Sequence, residues 1–451
     1  MSSHHPSPTI LITSLPPKTL VGLDLLSFNS TPNFHGVKDL PPGAHILYTG
    51  STESFSLRTG EWIIITGPNL NQHNVPAIDI RLRQWDQTFE MLSLVDERLA
   101  MQQRANLSRI WTAGGLLPYG SNSRTQGQAS GENSSTATST EDMPVLDDWT
   151  KLTNYITPSV LERILGDAEE EENGSLPRWI VTSGSSAVGD SDQIPGISTD
   201  GDGRYSIAGG KIHGPQSHMG FLPVDLKKTW REGAVGRERT EGARDRSWAL
   251  GHIAQWAEAN SAINIYTTGS ITEIEDGHAE VENFGEMHIL GELQFTFLTA
   301  LTLINFSCLE QWRRLLDLIF TCQAAITERE AFFAQVLKIL RLQLEHNNDV
   351  EGGLLEMDGD DGGAILRKLL TKFRGAVYDL PAWPREPAVV TELKKLEAWA
   401  KEEYGWELAR ESIVQRGVVE LEDGEQVEME IKGAAEEDET GEYAPVVVEL
   451  P

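Results

Sequence analysis

The feature that most constrains the fold is a change of hydrophobic periodicity near Ala243. Before it, the run from Ile78 to Arg83 alternates apolar with charged side chains. Such alternation is typical of a strand with one buried face. After it, apolar residues recur every three to four positions, which is typical of amphipathic helices. The sequence therefore predicts a multidomain α+β protein, in which a mainly-β domain precedes an all-α domain.

Turn residues divide the β-rich part into strands. The stretch Arg58-Thr59-Gly60-Glu61 lies between the apolar runs 54–57 and 62–65. Gly60 can adopt the positive φ that a tight turn requires, so we expect a hairpin at this position. Pro41-Pro42-Gly43 predicts another turn.

Helix starts are marked by capping residues. Thr157 followed by Pro158 predicts a short helix through Leu165. Ser307–Glu310 and Thr327–Glu330 have the capping-box pattern, and Pro387 can open a last helix. The inward faces predicted for the helical domain comprise Leu250, Ile253, Trp256, Leu293, Phe297, Leu298, Leu301, Ile304, Trp312, Leu315, Leu316, Ile319, Phe320, Phe333, Val336, Leu337, Leu340, Leu344, Leu393, Leu396 and Trp399. We expect the tryptophans at helical spacing, Trp248 included, to be packing residues.

Composition shifts set the expected domain boundaries. Two stretches rich in Ser, Gly, Thr, Asn or Asp have too little apolar surface to offset the entropy of ordering, so we interpret them as loops or disordered insertions. The predicted division is a β-rich amino-terminal domain at 1–222 with insertions at 121–141 and 183–210, a linker at 223–242, an α-helical domain at 243–416 and an acidic tail at 417–451.

Charge limits the classes of partner. The chain of 451 residues has a net charge of −31, and from Glu420 onward it has 12 acidic residues against the single base Lys432. A surface of this sign repels free nucleic acid and anionic membranes. We therefore expect no direct nucleic-acid contact and no membrane binding.

The compartment follows from the cysteines and the amino end. Cys308 and Cys322 both lie in apolar segments, which suits a reducing environment. The run 9–12 is too short for a signal peptide or a membrane span. We expect a monomer of the cytoplasm and nucleus.

The sequence contains only incomplete versions of the common catalytic and metal-binding motifs. The run 184–189 has phosphate-loop spacing, but Asp190 stands where that loop needs a lysine. The pairs Asp200/Asp202 and Asp358/Asp360 lack the regular spacing of a calcium loop. His252, His278 and His288 are scattered along the chain. We therefore expect no enzymatic activity, no cofactor and no metal site.

The acidic tail ends in a segment of different character. Val446, Val447 and Val448 favour an extended backbone, and Pro445 and Pro451 bracket them. An extended segment on a flexible acidic tether suits β-augmentation, in which a strand is added to a partner's sheet edge. Pairing with its own domain and plain disorder remain the alternatives at this point.

Four ordered blocks of the chain resemble the AAR-two (alpha-two-repression) family of splicing factors. The blocks lie at the amino end, in the helical domain and at the carboxyl end: Gly22–Asp24 with Phe28, Phe34–Lys38 with Pro41–His45, Gly291–Phe295 with Trp312–Leu316, and Ala444–Pro451. The resemblance implies a β-sandwich-like domain followed by a helical, VHS-like domain.

The resemblance also implies a function. Members of the family assemble the U5 small nuclear ribonucleoprotein by binding its scaffold protein, Prp-eight, and delaying the Brr-two helicase. The family's tail adds a strand between the scaffold's RNase H-like and Jab/MPN domains. The corresponding partner-binding residues in this sequence are Tyr443, Ala444, Pro445, Val446, Val447, Val448, Glu449 and Leu450. Phosphorylation could weaken such docking by adding negative charge, but the sequence does not indicate a site.

Two other functions compete with this one. An acidic chaperone for basic proteins would bind through charge, and its valines would hardly matter. An enzyme could assemble its site across the helical domain, with clustered carboxylates or histidines in a polar pocket.

Overall fold

A computed structural model describes sixteen segments of the chain. They are residues 7–51, 57–67, 69–70, 76–77, 79–112, 114–120, 142–170, 176–187, 198–200, 204–206, 218–260, 283–347, 363–380, 387–409, 415–420 and 426–431. The predicted partner-binding residues 443–450 lie outside these segments, as does the whole insertion predicted at 121–141.

The described strands occupy mainly the amino-terminal half. They are β1 (Thr9–Thr13), β2 (Leu20–Leu23), β3 (Leu26–Asn29), β4 (Gly36–Lys38), β5 (Gly43–Gly50), β6 (Arg58–Ile65), β7 (Asn69–Leu70), β8 (Pro76–Ala77), β9 (Ile80–Asp86), β10 (Met91–Leu94), β11 (Leu116–Pro118), β12 (Glu169–Glu170), β13 (Pro177–Thr182), β14 (Ser198–Asp200), β15 (Arg204–Ser206), β16 (Gln415–Glu420) and β17 (Gln426–Ile431).

Two large sheets form a sandwich. One has the order β10-β9-β1-β4-β11, and the other has the order β12-β13-β6-β5-β2-β3. Alternate residues of β1 face different layers: Ile10 and Ile12 join the core between the sheets, while Leu11 packs under the helical segment at 97–112. The outer face of the six-stranded sheet packs against the helical domain through Ile46, Trp62 and Trp179. The predicted mainly-β domain and its sandwich are confirmed.

The described helices are α1 (Glu97–Ala105), α2 (Leu107–Thr112), α3 (Asp142–Thr153), α4 (Pro158–Leu165), α5 (Arg237–Arg244), α6 (Ser247–Asn260), α7 (Phe284–Leu303), α8 (Phe306–Phe320), α9 (Ala325–Glu328), α10 (Glu330–Glu345), α11 (Ala364–Tyr378) and α12 (Ala388–Glu403). None of them is both long and apolar enough to cross a bilayer.

Helix α7 is the centre of the molecule. Every one of its residues except Phe284 and Met287 is buried. It contacts α6, α8 and α10 of the helical domain on one side, and α3, α4 and β6 of the amino-terminal domain on the other. A helix that is buried all round loses the one-sided pattern of a surface helix, so its amino-terminal half could not be predicted from periodicity. The inward set predicted for α10 is buried throughout.

The hairpin predicted at Arg58–Glu61 is wrong. These residues lie inside the continuous strand β6, which pairs with β5 along its whole length. Gly60 is needed there for space: a Cβ built on it would lie 3.1 Å from both methyl carbons of Leu303 on α7. The glycine permits close packing of helix on sheet and supplies no turn.

Two predicted helix caps also need correction. Helix α8 is capped by Asn305, whose side chain accepts a hydrogen bond from the Cys308 amide at 2.8 Å, and Ser307 lies inside the helix. Thr327 lies inside the short helix α9, and α10 starts after Arg329 with no side-chain cap. Thr157 caps α4 as predicted, accepting from the Val160 amide at 3.3 Å.

Several elements fall where loops or tail were expected. Helix α5 begins within the predicted linker 223–242 and extends two residues beyond it. The insertion predicted at 183–210 contains the antiparallel pair β14–β15. The antiparallel pair β16–β17 begins two residues before the predicted acidic tail and lies mostly within it. The stretch 183–210, which we interpreted as a loop or disordered insertion, therefore includes two short strands, β14 and β15.

Candidate functional site

A group of polar contacts joins the two domains around α7, and we call it the interdomain interface. It comprises Lys151, Asn154, Tyr155, Ser159, Arg163, Gly220, Leu222, His288, Gly291, Glu292, Gln294 and Gln311. Lys151 belongs to α3, Asn154 and Tyr155 to the turn that follows, and Ser159 and Arg163 to α4. Gln311 belongs to α8, and α7 contributes His288, Gly291, Glu292 and Gln294.

Glu292 is the centre of this interface. Its side chain is fully buried on α7 and forms an ion pair with Arg163 of α4, with 2.6 Å between Oε2 and Nη1. The Leu222 amide donates to both carboxylate oxygens, at 3.0 and 3.1 Å. Gln311 Nε2 donates to Oε1 at 2.8 Å. One carboxylate therefore holds the amino-terminal domain, the connecting chain and α8 together, with its lone pairs satisfied as a buried charge requires.

The neighbours of Glu292 extend the same contact. Gln294 Oε1 accepts from the Tyr155 amide at 2.9 Å, and its Nε2 donates to the Lys151 carbonyl at 2.9 Å. A Cβ built on Gly291 would lie 2.4 Å from the Tyr155 carbonyl oxygen, so only glycine allows this approach. Phe295 packs on Trp62 of β6 with 5.6 Å between ring centroids. Four of the five residues in the block Gly291–Phe295, all except Leu293, thus contact the amino-terminal domain.

The Trp312–Leu316 block on α8 stabilises α7 from the side of the helical domain. The indole Nε1 of Trp312 donates to Gln343 Oε1 at 2.9 Å, and Gln343 Nε2 donates to the Leu293 carbonyl at 3.1 Å. Trp312 is buried, as predicted, whereas Trp248, Trp256 and Trp399 are half-buried against the core. The fully buried Trp62 and Trp179 were not singled out from the sequence, because each lies in a strand.

A second polar contact fixes the other end of α7. Asn305 Nδ2 donates to the carbonyl oxygens of Thr182 and Ser185, at 2.9 and 2.8 Å. Arg58 Nη1 donates to the Thr302 carbonyl at 2.7 Å. With contacts at both ends of one rigid helix, the two domains form a single body.

Residues of the amino-terminal blocks form a buried hydrogen-bonded cluster around Asp24 and His45, which we call the histidine cluster. His45 Nδ1 lies 2.7 Å from Asp24 Oδ2, and its Nε2 lies 2.9 Å from the Pro41 carbonyl oxygen. Tyr119 donates to the same carboxylate oxygen, and the Ile46 amide donates to Asp24 Oδ1 at 2.9 Å. Burial lowers the pKa of His45, but the Asp24 carboxylate and the Pro41 carbonyl together raise it by a larger amount, so the net pKa is above 6.5.

Charged side chains also lie between the two sheets. Arg83 donates to Glu61 at 2.7 Å, and Arg178 Nη1 donates to the same carboxylate at 2.9 Å. Burial would raise the pKa of Glu61, but the two guanidinium groups hold it below its usual value. The expectation that β9 has one solvent-facing side is wrong: Arg81 and Arg83 face the sandwich interior, because α1 and α2 cover the opposite side of the strand.

One pair has the geometry of a nucleophile and its base. Ser159 Oγ lies 3.1 Å from Nε2 of His288. A catalytic triad would place a carboxylate at Nδ1, but here Arg163 Nε donates to that nitrogen at 3.4 Å. Burial first, and Arg163 second, lower the pKa of His288 to about 4, which leaves a neutral and weakly basic imidazole. The pair fits an interface contact better than a reaction.

Other chemistry finds little support in the described residues. No group of three His, Cys, Asp or Glu side chains there is placed to hold a metal ion. A small cavity lined by Glu61, Leu92 and Arg178 has room for about one water molecule, which is too little for a substrate. Burial, and then Glu292, raise the pKa of the Cys308 thiol, which makes it unreactive.

Comparison with known protein families covers the amino-terminal and helical-domain blocks and does not reach the tail block Ala444–Pro451. The AAR2 N-terminal domain matches residues 6–166, and the AAR2 C-terminal repeat region matches residues 221–409. Both matches include elements of the interdomain interface, α4 in the first and α7 in the second.

Similar curated proteins carry the same family name. "Protein AAR2 homolog" of Mus musculus is 23% identical over 345 residues, which covers 74% of this chain and 75% of the relative. The Homo sapiens protein of that name is 23% identical over 344 residues with the same coverage, and the Oryctolagus cuniculus protein is 22% identical over 343 residues, covering 74% and 71%. The chain belongs to the AAR2 (AAR-two) family.

Proposed function

We propose that this protein is a splicing factor that assists assembly of the U5 small nuclear ribonucleoprotein. In this role it binds the scaffold protein Prp-eight through its RNase H-like and Jab/MPN domains, and it delays the Brr-two helicase until it is released. It acts by binding and not by catalysis, in the cytoplasm and nucleus. The family relationship supports the general role in splicing. The resemblance of the tail, Ala444–Pro451, to the family's carboxyl end supports binding to the scaffold.

The observation that carries the proposal is the interdomain interface. A protein that holds a place on a large scaffold must present surfaces from two domains in one fixed geometry. Preorganised surfaces bind more tightly because less conformational freedom is lost on binding. The buried Glu292–Arg163 pair and the Gln294 contacts supply that fixed geometry.

The tail supplies the second part of the proposed mechanism. Val446–Val448 would add a strand to the scaffold between its two domains, and the acidic tether would favour a basic surface and speed the encounter. The described hairpin β16–β17 ends at Ile431, which leaves 20 residues beyond it. At about 3.3 Å per extended residue, these span up to ~66 Å.

A pull-down with the scaffold's RNase H-like and Jab/MPN domains tests the proposal. The intact chain is compared with one that ends at Gly441, which removes the partner-binding residues and keeps most of the acidic charge. We expect the intact chain to bridge the two scaffold domains and the truncated chain to lose at least tenfold in retained Jab/MPN domain.

A charge variant separates the acidic-chaperone alternative. Replacing Glu436, Glu437 and Glu439 with glutamine keeps the valines and removes three charges. The proposal predicts slower association and retained bridging. Loss of binding in this variant, with full binding by the chain ending at Gly441, would favour the charge-driven chaperone and overturn the strand mechanism.

A further inference from the structure

Residues 227–244 form a local inversion of charge, which we call the basic segment. In a chain of net charge −31 it contains six basic and three acidic residues. All six bases are exposed: Lys227, Lys228, Arg231, Arg237, Arg239 and Arg244. No residue of helix α5, which forms the second half of the segment, is buried.

The basic segment is held in shape by its own packing. Thr229 Oγ1 donates to the Gly242 carbonyl at 2.7 Å, which joins the loop to α5. The Arg239 guanidinium lies over the Trp230 ring at 4.7 Å. A Cβ built on Gly242 would lie 2.7 Å from the Trp230 Cβ, so this contact is close. The bases are therefore presented on a preformed surface.

The place of the basic segment in the fold is also fixed. Directly after it, Arg246 pairs with Asp317 at the end of α8, with 2.9 Å between Nη1 and Oδ1. Asp245 accepts from the amides of Gln323 and Ala324 at 2.9 and 3.0 Å. These contacts put the basic segment near the start of α10, where its exposed bases are open to an anionic partner.

We propose that the basic segment binds the acidic run 436–442 of the same chain. This contact lasts until the scaffold binds the tail. This run has five acidic residues and no base: Glu436, Glu437, Asp438, Glu439 and Glu442. The inference rests on the proposed function, because it describes the same tail before binding. The basic segment then competes with the scaffold surface for the tether.

Length and effective concentration support an intramolecular occupant. The hydroxyl of Tyr404 donates to the Leu344 carbonyl at 3.1 Å, so the end of the helical domain lies at the carboxyl end of α10. The basic segment is at the other end of α10, a helix of 16 residues or ~24 Å. Residues 410–414 and 432–436 lie on either side of the paired ends Gln415 and Ile431. At about 3.3 Å per extended residue these ten residues span up to ~33 Å, which exceeds this distance. A patch with an excess of three positive charges is too weak for tight binding of a free anion, but a tethered one is present at an effective concentration of about millimolar.

Zero-length carbodiimide crosslinking of the full chain alone tests the inference. The reagent joins a lysine amine to a carboxylate in direct contact, and mass spectrometry identifies the joined peptides. We expect a link from Lys227 or Lys228 to residues 436–442 in the monomer fraction at about 20 mM salt. Its yield should fall at least fivefold at about 0.5 M salt, where charges are screened beyond a few ångströms.

Matched variants complete the test. Arg231→Gln with Arg244→Gln keeps both lysines and should lower the yield at least threefold. Lys372→Gln with Lys401→Gln removes the same charge from exposed sites on α11 and α12 and should leave it unchanged. Links spread over distant lysines, links only between molecules, or a salt-independent yield would overturn the inference.

Two further results would also overturn it. If a 12-nucleotide oligouridylate at equal concentration abolishes the link, the basic segment is a nucleic-acid site. If a free acidic peptide does so, its partner is another protein. The scaffold pull-down has a separate readout and does not require the link, so an absent link with intact scaffold binding contradicts this inference alone.

Discussion

Arg163 and Glu292 form a buried ion pair between α4 and α7, with 2.6 Å between Nη1 and Oε2. The two residues belong to different domains, and both side chains are almost completely removed from solvent. Burial of two charges is costly, so a pair of this kind is not in itself a source of stability. Its geometry is specific, however, and with the other interdomain contacts it restricts how the two domains are oriented.

Removal of the Glu292 charge should destabilise the whole molecule. Glu292→Gln leaves Arg163 buried beside a neutral side chain, and we expect a loss of about 3 kcal/mol in the free energy of unfolding. Chemical denaturation measures this. The control is Glu241→Gln, which breaks the exposed Arg237–Glu241 pair of α5 and should change stability little. Equal effects of the two variants would contradict the role given to Glu292.

Two helix glycines offer a matched comparison. Gly291→Ala places a methyl group 2.4 Å from the Tyr155 carbonyl oxygen, and we expect a loss of about 1–3 kcal/mol through overpacking. Gly375→Ala on α11 meets nothing within 4 Å, and we expect a gain of about 0.5–1 kcal/mol from helix propensity. Thermal unfolding of both variants checks the signs. A stabilised Gly291→Ala variant would show that the domains are not in close contact at this helix.

The helical domain was the easier part to predict. Residues of α10 that recur at helical spacing are buried, since a helix at the edge of a core keeps a one-sided pattern. Asn305 and Ser307 are both good cap residues, and the choice between them depends on Ile304, whose left-handed backbone ends α7 immediately before Asn305. Local sequence does not contain that information.

The polar contacts of the site could not be derived from spacing. Glu292 accepts a hydrogen bond from Leu222, which is 70 residues away in the sequence, and Gln294 accepts one from Tyr155, which is 139 residues away. Arg81 and Arg83 look like a solvent-facing row until the helices that cover the other side of β9 are known. The resemblance indicated the block Gly291–Phe295, but only the structure shows that it joins the domains.

The histidine cluster predicts that the stability of the fold depends on pH. The folded-state pKa of His45 is raised above about 6.5, so its contribution to stability is fully present below that pH. The contribution is lost as the pH rises through the folded-state pKa. We expect the stability difference between the wild type and His45→Gln to shrink in this direction, as measured by denaturation at successive pH values. A difference that grows with pH would mean that His45 is neutral in the fold.

The most direct test of strand donation is a proline scan of the tail in the full-length chain. Successive amides of a strand point to opposite sides, so Val446→Pro and Val447→Pro together remove a donor on each side. Binding to the scaffold's RNase H-like and Jab/MPN domains is measured by calorimetry, with Val446→Thr and Val447→Thr as controls that keep the amides and the β-branched shape. The account predicts that at least one proline variant binds tenfold or more weakly, while both threonine variants bind within about threefold of the wild type. Wild-type affinity in both proline variants would contradict it.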